Sequence, residues 1–285
     1  MTYAITGSTG HLGSLVIDHL ISGGTAPSSI VAIARSREKA APLADRGVEV
    51  RIADYDQPDT LGPALSGIDR LLLISGSDPG RRAAQHRAVI EAAVRQTVGF
   101  LAYTSITRAD TSNHVLAPDH KTTEELIRRS GIPSAMLRNN WYAENFAQDV
   151  EAARSTGVIE AAAGDGRIAS ALRSEYAEAA ARVLQGTGHE NAVYELAGPV
   201  WDYHDLAAAV SDVLGRTVEY RAVSPETRRA SLLAVGADEQ TAGFVVALDE
   251  STAAGELDIE RDDLATLIGR EPLALRAAME SVASA

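Results

Sequence analysis

The chain has 285 residues, of which 45% are hydrophobic and 5% aromatic, and this length suits one large α/β domain, alone or with a smaller appendage. A net charge of −13, from 26 Lys and Arg against 39 Asp and Glu, argues against a nucleic-acid or anionic-membrane partner. The absence of cysteine excludes disulfides, thiolate catalysis and thiolate metal sites, and it fits a reducing cytoplasm.

A glycine-rich turn lies close to the N-terminus. It follows a short apolar run at residues 2–6 and precedes an apolar-periodic stretch at 15–20, which predicts a strand, a tight turn and a helix. Gly7 would permit the sharp exit from the strand, Gly10 would let a pyrophosphate approach the backbone, and Gly13 would let the helix pack closely on the sheet. The free N–H groups at the helix start would face an anion. The spacing is GxxGxxG rather than the commoner GxGxxG, and a βα turn without a ligand is the alternative.

The second predicted strand, residues 30–34, is followed by Arg35. An acidic residue at this position would bind the ribose 2′-hydroxyl of NAD, whereas an arginine suits a 2′-phosphate, so the sequence favours NADPH over NADH. In the alternative interpretation, Arg35 and Arg37 are the solvated start of the next helix. Asp54 follows a third strand at 48–53, where it would either lie near an adenine or cap the next helix.

Further βα units complete the first half of the chain. Apolar runs at 70–75, 98–103 and 134–138 predict parallel strands, with helices at 81–96 and 118–127 between them. Six βα units in a row predict a Rossmann-type doubly wound parallel sheet over residues 1–150. The small, flexible exit at 75–80 would line the path of the cofactor's ribose and nicotinamide. The polar stretch 107–117 would form a loop over the site, and His86 would lie on the surface.

The second half, residues 151–285, no longer shows the regular alternation of strand and helix patterns. It predicts helices at 175–185 and 205–214, further short helices at the end, and short strands at 157–160, 164–170, 192–196 and 217–222. We expect a smaller α/β part, partly interleaved with the first, that covers the carboxyl edge of the sheet, where a substrate would bind.

Eight motifs are spread in order over nearly the whole chain: GSTGHLG, LLLISGS, FLAYTS, DHKTTEELIRRSGIP, LRNNWYAEN, AAAGDGRIAS, EYAEAAARVL and VYELAGP. Together they resemble the NmrA-like branch of atypical short-chain dehydrogenases, and within it the bacterial quinone reductases, with triphenylmethane-dye reductases as near relatives. The resemblance implies that NADPH is bound by Gly7, Ser8, Thr9, Gly10, His11, Leu12 and Arg35. It also implies that two strand exits border the cofactor, namely Ser75, Gly76 and Ser77 along its path and Arg138, Asn139, Asn140, Trp141 and Tyr142 beside the nicotinamide.

The chain departs from the general short-chain dehydrogenases at their catalytic pair. That family uses a Tyr four residues before a Lys, whereas the Lys position here is His120 and Leu116 stands four residues earlier. The proton relay that serves alcohols and ketones is therefore missing. A quinone suits the site better, because it accepts hydride readily and its hydroquinone anion needs only modest proton delivery. His120, with a pKa expected near the working pH, would donate that proton or hold a ribose hydroxyl; in the alternative it is a structural residue beside Asp119.

The exit of the sixth strand supplies further candidates for the acceptor side of the site. Trp141 and Tyr142 would either form an aromatic wall for a planar quinone or pack as a hinge between the two halves. Asn139, Asn140 and Asn145 would present amides to a carboxamide or quinone oxygen, or would simply satisfy turns.

These observations predict an NADPH-dependent reductase that transfers hydride directly to a quinone, with His120, Tyr142 and Asn139 as catalytic candidates. A single nucleotide fingerprint predicts that no flavin takes part, and we expect no metal ligand. The alternatives are an NADP-binding redox sensor without catalysis and a reductase of dyes or other electron-poor compounds. We also expect a homodimer that binds no nucleic acid and does not insert into membranes. Because Met1 leads directly into the first strand and no apolar run has the length of a transmembrane helix, we expect it in the cytoplasm.

Overall fold

The computed structural model describes residues 1–76, 78 and 80–284, and within them the chain forms nine strands and twelve α-helices. Ser77, expected along the cofactor path, lies outside the described residues. The strands are β1 (Tyr3–Ile5), β2 (Ile30–Ala34), β3 (Glu49–Ile52), β4 (Arg70–Leu73), β5 (Phe100–Ile106), β6 (Ser134–Asn139), β7 (Val158–Ala161), β8 (Ala192–Leu196) and β9 (Glu219–Ala222). The α-helices are α1 (His11–Ser22), α2 (Arg37–Ala44), α3 (Leu61–Leu65), α4 (Arg82–Arg95), α5 (Ala117–Ser130), α6 (Ala147–Thr156), α7 (Arg173–Gln185), α8 (Tyr203–Leu214), α9 (Pro225–Ala234), α10 (Glu239–Ala253), α11 (Asp263–Ile268) and α12 (Leu275–Ala283).

Seven strands form one parallel sheet in the order β3-β2-β1-β4-β5-β6-β8. Every residue of β1, β2, β4, β5 and β6 is buried, which explains why these strands read as apolar runs in the sequence. Helices cover both faces, with α1, α7 and α11 contributing to one core and α3, α4 and α5 to the other. The predicted doubly wound α/β sheet is confirmed.

The order of the strands reverses between β1 and β4. The chain proceeds outward from β1 through β2 to β3 and then returns to the other side of β1 as β4. In doubly wound sheets, ligands bind in the crevice that this reversal opens beyond the carboxyl ends of the strands. The glycine turn after β1 lies there, since a Cβ built on Gly7 would be 3.6 Å from the Cβ of Ile74, just beyond β4.

Residues after 150 are divided between the main sheet and a separate small core. Helix α7 packs against α1 on one face of the sheet, and β8 pairs with β6 at its edge. The small core joins α6, α8 and α12 with the two-stranded parallel sheet of β7 and β9. The division of the chain into domains at residue 150 stays a prediction.

One predicted strand, at residues 164–170, is wrong. A single antiparallel bridge between Ile168 and Trp201 is all the pairing that the described residues make there. Gly164 adopts a left-handed φ of +54°, and the N–H of Gly166 bonds to the carbonyl of Ala163 at 2.9 Å, so the chain turns where the pattern predicted extension. Among the described residues, none of the helices has the length and apolar character needed to cross a bilayer.

Candidate active site

The glycine turn has the geometry that its spacing predicts. Gly7 has a left-handed φ of +57°, which an L side chain rarely adopts. A Cβ on Gly13 would lie 2.3 Å from the carbonyl oxygen of Gly7 and 2.8 Å from the Cα of Ser8, so α1 can approach the turn this closely only with glycine at position 13. The observed turn therefore requires glycine at both positions.

The predicted cofactor residues of this turn fall into two groups. Gly7, Thr9, Gly10 and His11 are exposed, whereas Ser8 and Leu12 are buried. The Ser8 hydroxyl donates to the carbonyl of Ile33 at 2.9 Å, which ties the turn to β2. The exposed residues are accessible to a ligand, and the bond of Ser8 fixes the loop to β2.

The start of α1 is open to an anion. Gly10 is the N-cap, no side chain among the described residues caps this end, and the first turn contains no acidic residue. The first N–H groups of the helix therefore keep their hydrogen-bonding capacity at the positive end of the helix dipole. A pyrophosphate fits this environment.

Arg35 directly follows β2 at the same edge of the sheet. It is exposed and forms no ion pair with the residues that the structure describes. Ser36, not Arg35, caps α2 by accepting from the N–H of Lys39 at 3.3 Å, so Arg35 lies just outside the helix. Its guanidinium is available for a phosphate beyond the end of β2.

Asp54 has a visible structural task. Its carboxylate accepts from the N–H of Asp56 at 3.0 Å, and its own N–H donates to Thr60 at 3.0 Å, so it stabilises the turn after β3. Contact with an adenine stays a prediction.

The exit of β4 is held by side chains from neighbouring elements. The N–H of Ser75 donates to the Thr104 hydroxyl at 2.9 Å, and the N–H of Gly76 donates to Nε2 of His86 at 3.0 Å. The expectation that His86 lies on the surface is wrong, because it is fully buried. Burial and the charge of Arg82 lower the pKa of His86 to about 3, so a neutral ring organises this loop.

His120 is also buried and neutral. Its Nδ1 lies 2.8 Å from the hydroxyl of Tyr103. Burial, reinforced by the charge of Arg82, holds the pKa of His120 well below its ordinary range. The expectation of a pKa near the working pH is therefore wrong, since desolvation of the ring disfavours its charged form. His120 is not an imidazolium acid at neutral pH, and its catalytic role stays a prediction.

Arg138, near the end of β6, lies at the centre of an ion network. Its Nε and one Nη donate to the two oxygens of Glu124 at 2.9 and 2.8 Å, and its other Nη donates to Asp110 and Glu195 at 2.9 and 2.8 Å. Burial alone would lower the pKa of Arg138, but the bonds to these carboxylates raise it above the ordinary value. Four of its five N–H groups are thus engaged by protein carboxylates. The contact with nicotinamide stays a prediction, and one N–H is left for it.

Glu195 of β8 is a site-building residue that the sequence reasoning missed. It binds Arg138, and it also accepts from the Thr107 hydroxyl at 2.9 Å and the N–H of Arg108 at 3.0 Å. The signal that could have revealed it is a carboxylate in the middle of the short strand VYEL. Such a residue needs a partner if the strand joins a sheet.

The asparagines after β6 differ in their surroundings. Asn139 is buried, its Nδ2 donates to the Tyr142 hydroxyl at 3.1 Å, and its Oδ1 has no partner among the described residues. Asn140 bonds through both amide atoms, to the carbonyl of Leu257 at 3.1 Å and the N–H of Trp141 at 2.7 Å. Asn139 therefore keeps an amide oxygen that could accept a further hydrogen bond, whereas both amide atoms of Asn140 stabilise the turn. Both remain predicted cofactor neighbours.

Trp141 and Tyr142 each pack against another ring. Tyr142 meets Tyr176 of α7 edge-on at 5.4 Å, and Trp141 lies 5.8 Å from His114 in the loop between β5 and α5. The sequence reasoning passed over His114, which is buried, and burial lowers its pKa to about 4. Its Nδ1 accepts from the N–H of Leu116 at 3.2 Å. These rings join the exit of β6 to the loop and to α7.

A C-terminal segment closes over this loop. Arg108 donates to the carbonyls of Gly255 and Asp258 at 2.6 and 3.0 Å, and the Ser112 hydroxyl donates to Glu256 at 2.8 Å. With the bond from Asn140 to Leu257, residues 255–258 bind both the loop and the exit of β6. The loop after β5, the exit of β6 and residues 255–258 thus meet at the carboxyl edge of the sheet.

Comparisons with known proteins agree with this architecture. The sequence profile of the NmrA-like family matches residues 1–275. Quinone oxidoreductase 2 of Escherichia coli is 46% identical over 268 residues, covering 93% of each chain. A crystal structure of an Escherichia coli NADPH-dependent quinone oxidoreductase complexed with NADPH has a TM-score of 0.95 at 44% identity, covering 99% of both chains. Citrobacter sp. triphenylmethane reductase complexed with NADP(H) has a TM-score of 0.95 at 38% identity, covering 99% of this chain and 100% of that one.

The resemblance that the eight sequence motifs indicated is confirmed over nearly the whole length of the chain. The profile match excludes the last ten residues, and the structural similarity extends through both halves. The chain belongs to the NmrA-like family.

Proposed function

We propose that the chain is an NADPH-dependent reductase that transfers hydride directly to a quinone, without a flavin. Three features at one edge of the sheet carry the proposal. Among the residues that the structure describes, the N-terminus of α1 has no side-chain cap and Arg35 forms no ion pair, and both share this edge with the exit of β6, which carries aromatic and amide side chains. The similarity to a quinone oxidoreductase solved with NADPH supports it.

The cofactor side of the site uses mainly backbone groups. The turn from Gly7 to His11 and the first N–H groups of α1 would hold the pyrophosphate, and Arg35 would bind the 2′-phosphate. The backbone at Ser75 and Gly76, fixed by Thr104 and His86, would line the path toward the nicotinamide. Bound there, NADPH supplies a hydride to the acceptor.

The acceptor side would present flat rings and one amide oxygen. Trp141 and Tyr142 offer aromatic surface to a planar quinone, and Oδ1 of Asn139 can accept from the N–H of the nicotinamide carboxamide. A quinone that receives hydride becomes a hydroquinone anion, which takes its proton from water, since His120 is neutral. No Tyr–Lys pair is needed for this reaction, in contrast to alcohol dehydrogenation.

A turnover assay tests the proposal. Flavin-free protein is mixed anaerobically with NADPH or NADH and a panel of quinones, triphenylmethane dyes and aldehydes. We expect NADPH oxidation with quinones, little with aldehydes, and slower oxidation of NADH. Binding of NADPH without oxidation by any acceptor would contradict the proposal and favour a redox sensor. Turnover with dyes alone would show that the acceptors are dyes rather than quinones. The predicted homodimer is tested by light scattering on the same sample.

A further inference from the structure

Tyr103 is a fully buried tyrosine of β5 whose ring lies between two imidazoles. The ring centroids are 5.4 Å apart for His86 and Tyr103 and 5.8 Å apart for Tyr103 and His120. Its hydroxyl lies 2.8 Å from Nδ1 of His120. Because a buried phenol needs a hydrogen-bond partner, this contact fixes both side chains.

The surroundings of the Tyr103 hydroxyl indicate which group donates in this contact. His86 accepts from the N–H of Gly76 through Nε2, so its proton is on Nδ1 and is donated to the Thr123 hydroxyl oxygen at 2.9 Å. The Thr123 hydroxyl in turn donates to the carbonyl of Asp119 at 2.8 Å. Among the described residues, Nδ1 of His120 is the group with which the Tyr103 hydroxyl makes a hydrogen bond, so it is the acceptor for the buried phenol proton.

A tyrosine that donates to Nδ1 leaves the proton of a neutral imidazole on Nε2. Nε2 of His120 makes no hydrogen bond within the described residues. The ring sits in the first turns of α5, next to Asp119, which accepts from the N–H of Gly80 at 3.1 Å. His120 is therefore on the part of α5 that contacts the loop after β4.

We propose that Tyr103 is a positioning residue that holds His120 in the Nε2–H tautomer, so that His120 donates a hydrogen bond to the quinone oxygen on which negative charge develops. A neutral donor aimed at that oxygen stabilises the charge without giving up its proton. This inference rests on the proposed function for its substrate. The charged and titratable groups that face His120 are Arg82, His86, Tyr103, His114 and Asp119.

The tautomer is measured without any turnover. Nitrogen-15 to proton correlation spectra of the seven histidine rings separate the Nδ1–H, Nε2–H and doubly protonated forms, and the His120→Gln variant assigns the signal. We expect His120 to be Nε2–H from pH 6 to 8. An Nδ1–H ring or a charged ring in the wild-type protein would overturn the inference, whether or not the protein reduces quinones.

Tyr103→Phe tests the link to the reaction. We expect kcat with a quinone to fall about tenfold, the Kd for NADPH to change by less than about twofold, and the His120 ring to become a mixture of tautomers. Tyr203→Phe, which removes a hydroxyl from a buried tyrosine of the C-terminal core, controls for the loss of a buried phenol.

A double variant separates positioning from simple destabilisation. Because Tyr103 acts through His120, adding Tyr103→Phe to His120→Gln should reduce kcat no further. A further tenfold loss in that background, or an unchanged kcat in a Tyr103→Phe protein with a scrambled tautomer, would overturn the inference. If Tyr103→Phe does not fold, the wild-type tautomer decides it.

Discussion

The cofactor side of the site is made from consecutive residues, whereas the acceptor side is assembled from distant ones. Residues 7–13 form a turn whose shape depends on two glycines and whose ligands are backbone N–H groups. The exit of β6 is instead held by side chains from α5, β8 and the loop before α5, and by residues 255–258. We therefore expect the cofactor side to tolerate substitutions elsewhere in the chain. The acceptor side should depend on each of the distant residues that hold it.

The largest expected effect comes from breaking the Arg138 network. Arg138→Met removes the buried cation that binds both oxygens of the buried Glu124 and one oxygen of the partly buried Glu195, so we expect the free energy of unfolding to fall by about 3 to 5 kcal/mol. Denaturant unfolding measures this. Arg128→Met is the matched control, because Arg128 binds the same Glu124 from a position that is 47% exposed and should contribute less than about 1 kcal/mol. Equal losses in the two variants would show that the network does not hold the acceptor side together.

The next effect concerns the turn on the cofactor side. Gly13→Ala places a methyl group 2.3 Å from the Gly7 carbonyl, so α1 must shift. We expect a loss of about 1 to 3 kcal/mol in stability and a clear loss of NADPH binding in a fluorescence titration. Gly243→Ala is the control, since nothing lies within 4 Å of that position inside α10. It should raise stability by up to about 1 kcal/mol. Unchanged cofactor binding in Gly13→Ala would contradict the geometry of the turn.

A smaller effect tests the choice of cofactor. Arg35→Ala should weaken NADPH binding about tenfold and leave NADH binding nearly unchanged, because only NADPH carries the 2′-phosphate. Arg95→Ala, which removes an exposed arginine at the far end of α4, should change neither affinity. If Arg35→Ala weakened both cofactors equally, the arginine would not be reading the phosphate.

A further effect is a pH dependence of stability on the acceptor side. The pKa of His114 is lowered to about 4 in the folded chain and is about 6.5 when unfolded. Between these values the unfolded chain binds more protons, so stability falls as the pH drops below about 6.5. Asp149, whose pKa burial raises to about 7, acts in the opposite direction. His114→Gln should flatten the slope of unfolding free energy by about 1.4 kcal/mol per pH unit between pH 4.5 and 6. Parallel curves for the two proteins would contradict a buried, neutral His114.

The same contrast explains what the sequence could predict. The strands of the first half of the chain, their order along the sequence and the glycine turn follow from local patterns, and the structure confirms them, whereas the strand predicted at 164–170 is wrong. The sequence predicts His86 on the surface, yet its ring is buried and bonds to Gly76 and Thr123, which come from other elements. The partner of Arg138 on β8 could be recognised only once that strand was known to pair with β6. The geometry of a local turn can be predicted from the sequence. Ion pairs and buried charges between distant residues can be predicted only when the fold is known.

Isotopic labelling tests the central claim most directly. Flavin-free protein is given NADPH deuterated at either face of the nicotinamide C4, and its oxidation by a quinone is followed anaerobically. Direct transfer within one site predicts a primary isotope effect with only one of the two labelled cofactors. Oxidation that requires added flavin, or NADPH that binds but is never oxidised by a quinone, would contradict it.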